Sequence, residues 1–165
     1  MSTALRLVTI AGVTLCAGAV LTGCSLLGPA APDRDEGTGE IVGAGEADVF
    51  QIRVGDCLAP ANLDTTLETV PTVPCGEPHV SEVYAGFQLD DGDYPGAEQI
   101  AVEAESLCLG AFEGFIGVAY EDSVLYANTM TPTKESWTDL DDREILCIVT
   151  SDGPSVTGTL RAAAR

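Results

Sequence analysis

The sequence predicts an α+β domain: a small, mainly antiparallel sheet with one principal helix, stapled by two disulfides. Three observations predict it. Val80-Ser81-Glu82-Val83-Tyr84-Ala85-Gly86-Phe87 alternates, and Glu144-Ile145-Leu146-Cys147-Ile148-Val149-Thr150 is an apolar run, both strand signatures. Ile100, Ala104, Leu107, Cys108, Ala111 and Phe115 recur at helical spacing, with Glu98, Glu103 and Glu105 largely off that stripe. Four cysteines, 57, 75, 108 and 147, fall in the part of the chain expected to be exported.

Taken in order, the elements begin at Val49, where Val49 to Val54 is strand-like and closed by Gly55-Asp56. A second β-rich run, Leu67 to Val73, holds Pro71 and is followed by Pro74, which suggests an edge strand because proline cannot donate to a ladder. The alternating strand at 80–87 ends in the turn Asp90-Asp91-Gly92-Asp93. The helix is expected to start after Asp93 and Pro95 and to stop at Gly114 or Gly117. A strand over Ser123 to Met130, a helical turn around Pro132 to Leu140 and the buried strand at 144–150 follow. A last strand, Ser155 to Leu160, precedes an Arg161–Arg165 tail.

Residues 1–23 carry no acid and one charge, Arg6, before an apolar stretch from Leu7 to Leu21. That is the form of a signal peptide, too short for an easy membrane span of about 20 residues. It ends in Leu21-Thr22-Gly23-Cys24, which has the form of a lipobox, so Cys24 is expected to be lipid-modified and to anchor the chain to the outer face of the cell membrane. Residues 24–48 are rich in Gly, Pro and acids and read as a flexible tether, with residues 49–165 as the folded domain. The tether glycines 37, 39, 43 and 45 superficially resemble a phosphate-binding loop, but no strand precedes them and no helix follows.

All 26 acidic residues lie beyond residue 23, and loss of Arg6 with the leader takes the formal net charge from −19 to −20. So acidic a surface disfavours nucleic acid, which is bound by neutralising phosphates, and gives no polybasic grip on anionic lipid. With Cys16 lost in the leader and Cys24 lipidated, the four remaining cysteines of an exported chain read as two disulfides. Three connectivities are possible. Pairing neighbours closes the shorter loops, so Cys57–Cys75 and Cys108–Cys147 are expected, worth roughly 3 and 4 kcal/mol on the chain-entropy model.

Chemistry-bearing patterns are few. His79 is the single histidine, in Pro74-Cys75-Gly76-Glu77-Pro78-His79-Val80-Ser81-Glu82. With Glu77 or Glu82 it could contact a ligand or act as a general base; otherwise it hydrogen-bonds the backbone of a proline-rich turn. One histidine and a carboxylate make a thin metal set, and no C-x-x-C spacing supports zinc, so no metal and no cofactor are expected. A Cys75/His79 nucleophile pair needs a free thiol, which export disfavours. Gly153-Pro154-Ser155-Val156-Thr157-Gly158 misses the G-x-S-x-G spacing by one residue. The acidic runs at 90–93 and 139–144 lack the EF-hand pattern, and no two carboxylates are singled out as a glycosidase pair. Trp137 is expected as a core or strand-end anchor rather than a ligand platform.

Taken together, Val54-Gly55-Asp56-Cys57-Leu58, Val73-Pro74-Cys75 with Glu77-Pro78-His79 and Glu82-Val83, Tyr94-Pro95-Gly96, Cys108, Pro132-Thr133 with Glu135-Ser136-Trp137, Asp142-Arg143, Cys147 and Thr157-Gly158-Thr159-Leu160 resemble the septum-formation family of actinobacterial exported proteins. The resemblance covers roughly residues 52–160, and the ordered cysteines with P-C-x-x-P-H-x-x-E are its most specific part. One departure stands out: a glycine expected shortly before Asp142-Arg143 is replaced by Asp139-Leu140-Asp141. The resemblance implies a membrane-associated role in division-septum formation and names a process without a reaction. The expectation is a non-catalytic binding module with a division or cell-wall partner, its candidate contacts Glu77, His79, Glu82, Trp137, Asp142 and Arg143. The alternatives are an envelope sensor or solute-binding lipoprotein, or a cell-wall hydrolase using carboxylates or His79.

Overall fold

The computed structural model describes residues 30–60 and 68–165. The leader and the lipobox residues Leu21, Thr22, Gly23 and Cys24 lie outside the described residues. Strands β1 (Asp33–Arg34) and β2 (Ile41–Gly43) form a small antiparallel pair. Strands β3 (Gly45–Asp48), β4 (Cys57–Leu58), β5 (Thr69–Val73), β6 (Ser81–Gln88), β7 (Leu125–Met130) and β8 (Glu144–Ser151) form one antiparallel sheet in the order β3-β5-β4-β6-β8-β7. Helix α1 (Ala97–Ile116) covers one face, and the short α2 (Lys134–Asp139) links β7 to β8. The α+β class, the single principal helix and both disulfides, Cys57–Cys75 and Cys108–Cys147, are as the sequence predicts.

Alternation along β8 divides the interior in two. Ile145, Cys147 and Val149 face α1 and pack with Ala104, Cys108, Phe112 and Ile116. Leu146 and Ile148 face the other way, toward Leu58 and Val70. A bulge in β6 between Val83 and Ala85 adds a residue, and Tyr84 joins the helix side, where its hydroxyl donates to the Cys108 carbonyl at 2.7 Å. Burial pushes the Tyr84 hydroxyl pKa upward, so it stays a donor. The apolar stripe of α1 is broader than its period suggests, since Phe112 is fully buried as well. The helix stops at Gly117, whose φ of 93° suits glycine and whose N–H closes on Glu113 O at 2.8 Å.

Four expectations are corrected. The chain is ordered well before Val49: β3 pairs with β5 along Gly45 to Asp48, and Ala47 is fully buried. Composition hid this because the stabilising contacts are backbone ladders and one ion pair, not an apolar run. Gly45 is needed there, since a Cβ would stand 2.6 Å from the Ala30 carbonyl oxygen. Next, Val49–Gln51 is a 3-10 turn and not a strand, started by the Asp48 carboxylate accepting from Phe50 N at 2.9 Å.

The proline-bearing β5 is also not an edge. It sits between β3 and β4, and the Pro71 carbonyl accepts from Ala59 N at 3.0 Å. Its missing N–H thus faces the point where the two-residue β4 has ended, so one ladder bond is lost and the strand survives. Finally, Ser155 to Leu160 forms a single bridge, His79 with Val156, in place of a strand. Its later amide, Leu160 N–H, is taken by the Glu82 side chain instead.

The departure at 139–141 has a backbone meaning. Asp141 adopts φ 56°, a left-handed conformation that glycine reaches without steric cost. Asp141→Ala is expected to be less stable than Asp141→Gly by about 1 kcal/mol, with the glycine variant at or above the parent in thermal midpoint. Equal midpoints for the two variants would mean the turn is not strained.

Candidate functional site

The residues singled out in the sequence fall into two clusters, one at each end of β6 and β8. In the first, the Cys57–Cys75 bridge, His79 and Glu82 meet under the closing segment of the chain. His79 is fully buried, and its Nδ1 donates to the Glu77 carbonyl at 2.8 Å, a contact that fixes the proton on that nitrogen. Nε2 is buried with no hydrogen-bond partner among the described residues. Glu77 itself contributes only this carbonyl and is otherwise exposed. Glu82, 3% exposed, accepts from the Thr159 hydroxyl at 2.7 Å and from Leu160 N.

Ligand atoms of Cys57, His79 and Glu82 lie within 4.8 Å of one another, which is metal-site spacing. The chemistry is wrong for it as built. The Cys57 sulfur is spent in a disulfide, and thiolate is the form that ligates. Both Glu82 oxygens already hold the C-terminal segment. The cluster is a buried joint: His79 and Val156 exchange backbone bonds at 2.9 and 2.8 Å, and Gly158 N reaches Cys75 O at 2.6 Å. Beyond it, Ala162 N and Ala164 N satisfy the last carbonyls of α1, at Phe115 and Ile116. Glu82→Ala is therefore expected to cost about 3 kcal/mol, since it removes a charged acceptor from two donors. Amides from 156 to 165 should exchange faster; unchanged exchange there would show that Glu82 does not hold the segment.

The second cluster is built on α2. Its N-terminus is a capping box in which Thr133 accepts from Ser136 N and Ser136 Oγ from Thr133 N, both at 3.0 Å. Trp137, 5% exposed, donates from its indole to Gly92 O at 2.9 Å and takes the Tyr94 ring edge-on. The Arg143 guanidinium lies 3.8 Å from the Trp137 ring centroid, pairs with Asp141 at 3.0 Å and donates to Trp137 O. Asp142 accepts from Ser136 Oγ at 2.8 Å and from Glu144 N at 3.1 Å. Trp137 is thus a core anchor, and its π-face is covered by this chain's own arginine.

What the sequence did not single out is the space between these elements. The sheet face turned away from α1 forms a groove of about 1190 Å³. Leu58, Val70, Leu146 and Ile148, drawn from β4, β5 and β8, line its floor. Phe50 and Leu140, 55% and 61% exposed, stand on its walls. Asp142 and Arg143 reach it, whereas Glu77, His79, Glu82 and Trp137 do not line it. Its one signal in the sequence is the Leu146/Ile148 half of β8, apolar on a face that α1 cannot cover.

Glu144 also lines this groove, and partial desolvation, then the nearby Asp142 charge, raises its pKa above the ordinary carboxylate value. The folded protein therefore binds that proton more tightly than the unfolded chain, and stability falls as pH rises through the folded pKa. Glu144→Gln is expected to raise the thermal midpoint slightly at neutral pH and to leave it unchanged well below the carboxylate range. The reverse pattern would mean the carboxylate is stabilised there.

Among the described residues, no helix is long and apolar enough to cross a membrane. A family model described as septum formation matches residues 24–164. No curated protein and no solved structure matches the chain.

Proposed function

From the premise that this chain belongs to the septum-formation family, we propose that it is a lipid-anchored, extracytoplasmic binding module that serves septum formation by holding a partner in the sheet-face groove. The observation that carries the reading is the groove itself: on the sheet face away from α1, the buried floor of Leu58, Val70, Leu146 and Ile148 is flanked by Phe50 and Leu140, both more than half exposed. Concave apolar sites with a few convergent polar groups are the usual form of a binding site. The family signature residues, by contrast, are spent on architecture: Cys57, Cys75, His79 and Glu82 lock the C-terminal segment, and Trp137 locks α2.

The anchor follows from Leu21-Thr22-Gly23-Cys24, and the family match begins at Cys24. Strand β1 begins at Asp33, nine residues after Cys24, a reach of at most roughly 30 Å for any conformation of the chain between them. The groove would then work close to the membrane surface.

The test is made in dividing cells with a C-terminal fluorophore that matures outside the cytoplasm. Septal enrichment, lost when residues 30–165 are deleted, is the expected result, and Cys24→Ala should leave the membrane fraction. Uniform membrane signal throughout the cycle would overturn the septal role, and membrane retention of Cys24→Ala would overturn the lipid anchor.

A further inference from the structure

Resting on that reading of the groove, we infer that its partner is a cationic polypeptide segment: apolar side chains flanked by Lys or Arg. The argument is charge complementarity around an apolar floor. Asp48 and Glu68 line the groove on the Phe50 side, and Asp141, Asp142 and Glu144 line it on the Leu140 side, with Asp152 from the end of β8. Among the described residues the lining offers one basic side chain, Arg143, already stacked on Trp137 and paired with Asp141. Glu144 resists ionisation because it is partly desolvated and close to Asp142, so an incoming cation would relieve a cost already present.

The floor supplies the other half. Leu58, Val70, Leu146 and Ile148 give it a hydrocarbon base that is itself buried, and the apolar surface that a partner meets is chiefly Phe50 and Leu140, 55% and 61% exposed. An anionic lipid or a polyanionic polymer would meet this rim with like charge. A neutral glycan would leave five of these carboxylates, all but Asp141, without a counter-charge. A segment with apolar anchors and basic flanks satisfies both features, and electrostatic complementarity of this kind sets specificity and association rate.

The experiment measures binding of a ten-residue peptide, three leucines flanked by lysines, to the intact protein at low and at physiological salt. Its comparison peptide has glutamate for every lysine. Two variants each remove three charges: Asp48→Asn with Glu68→Gln and Glu144→Gln in the groove, and Glu98→Gln with Glu103→Gln and Glu105→Gln on the solvent face of α1. The lysine peptide should bind the parent and the helix-face variant alike and the groove variant at least about tenfold more weakly, with the contrast larger at low salt. The glutamate peptide should not bind.

Equal losses in both variants would mean attraction to the overall charge of the protein, which overturns the inference. Tight binding of the glutamate peptide would overturn the cationic class while leaving the groove as the site. If neither peptide binds the parent, the partner class falls; the groove reading falls with it only if Phe50→Ser with Leu140→Ser also keeps normal septal placement.

Discussion

Replacing Cys108 and Cys147 together by alanine is expected to lower stability by about 4 kcal/mol and the thermal midpoint by about 15 °C. The bridge joins the middle of α1 to the middle of β8 across a sequence separation of 39. Both cysteines are at most 1% exposed, so their loss also opens space between Phe112, Ile145 and Val149. Without it the helix is held by packing, by the Tyr84 hydroxyl on the Cys108 carbonyl and by Ala162 N and Ala164 N on its last carbonyls. Glu98→Gln, on the exposed first turn of α1, serves as the control and should stay within about 0.5 kcal/mol of the parent. Equal midpoints for the two variants would show that the staple contributes nothing. The Cys57–Cys75 bridge closes a separation of 18 and is expected to contribute about 3 kcal/mol.

Arg34→Ala is the second large effect, at about 3 kcal/mol. The guanidinium donates to both Asp56 oxygens at 2.7 Å and to the Gly39 and Gln51 carbonyls at 3.0 Å. Among the described residues, Asp56, its side chain 4% exposed, otherwise accepts only from Arg53 N at 2.8 Å. Removing Arg34 leaves that carboxylate buried beside one donor, the situation in which breaking an ion pair costs more than the pair ever contributed. Hydrogen bonds to the Asp56 carboxylate outweigh desolvation and raise the Arg34 pKa, which favours the charged arginine. A double-mutant cycle with Asp56→Asn measures the coupling by thermal unfolding. Additive losses would mean the two side chains act independently. The same variant should speed amide exchange over Ile41–Asp48, because Arg34 is what ties the first strands to the Asp56 turn.

These two effects mark where the sequence is readable and where it is not. The helix and β8 were legible because each carries a period: 3.6 in Ile100, Ala104, Cys108 and Phe115, and an apolar run around Cys147. The disulfides followed from parity and loop length. The N-terminal strands were not legible, because Gly45-Glu46-Ala47-Asp48 enters the sheet by backbone pairing and by an arginine reaching 22 residues ahead. Ser155 to Leu160 has strand composition, yet a buried carboxylate takes the amide that a ladder would use.

The candidate site divides the same way. Asp142 and Arg143 were singled out and do reach the groove, but Asp48, Phe50, Leu58 and Val70 were not. They come from segments far apart in the chain, and only the sheet order β3-β5-β4-β6-β8-β7 brings them to one face. His79, the most conspicuous residue chemically, lies buried under the C-terminal segment and does not line the groove.

On the proposed reading, the groove places this protein at the septum. The most direct test compares the septal share of fluorescence for Phe50→Ser with Leu140→Ser, both on the groove, against Val102→Ser on the exposed face of α1, each at parental thermal stability. The groove variant should spread around the membrane while the helix-face variant stays at the septum. A groove variant that remains at the septum as fully as the parent would contradict that reading.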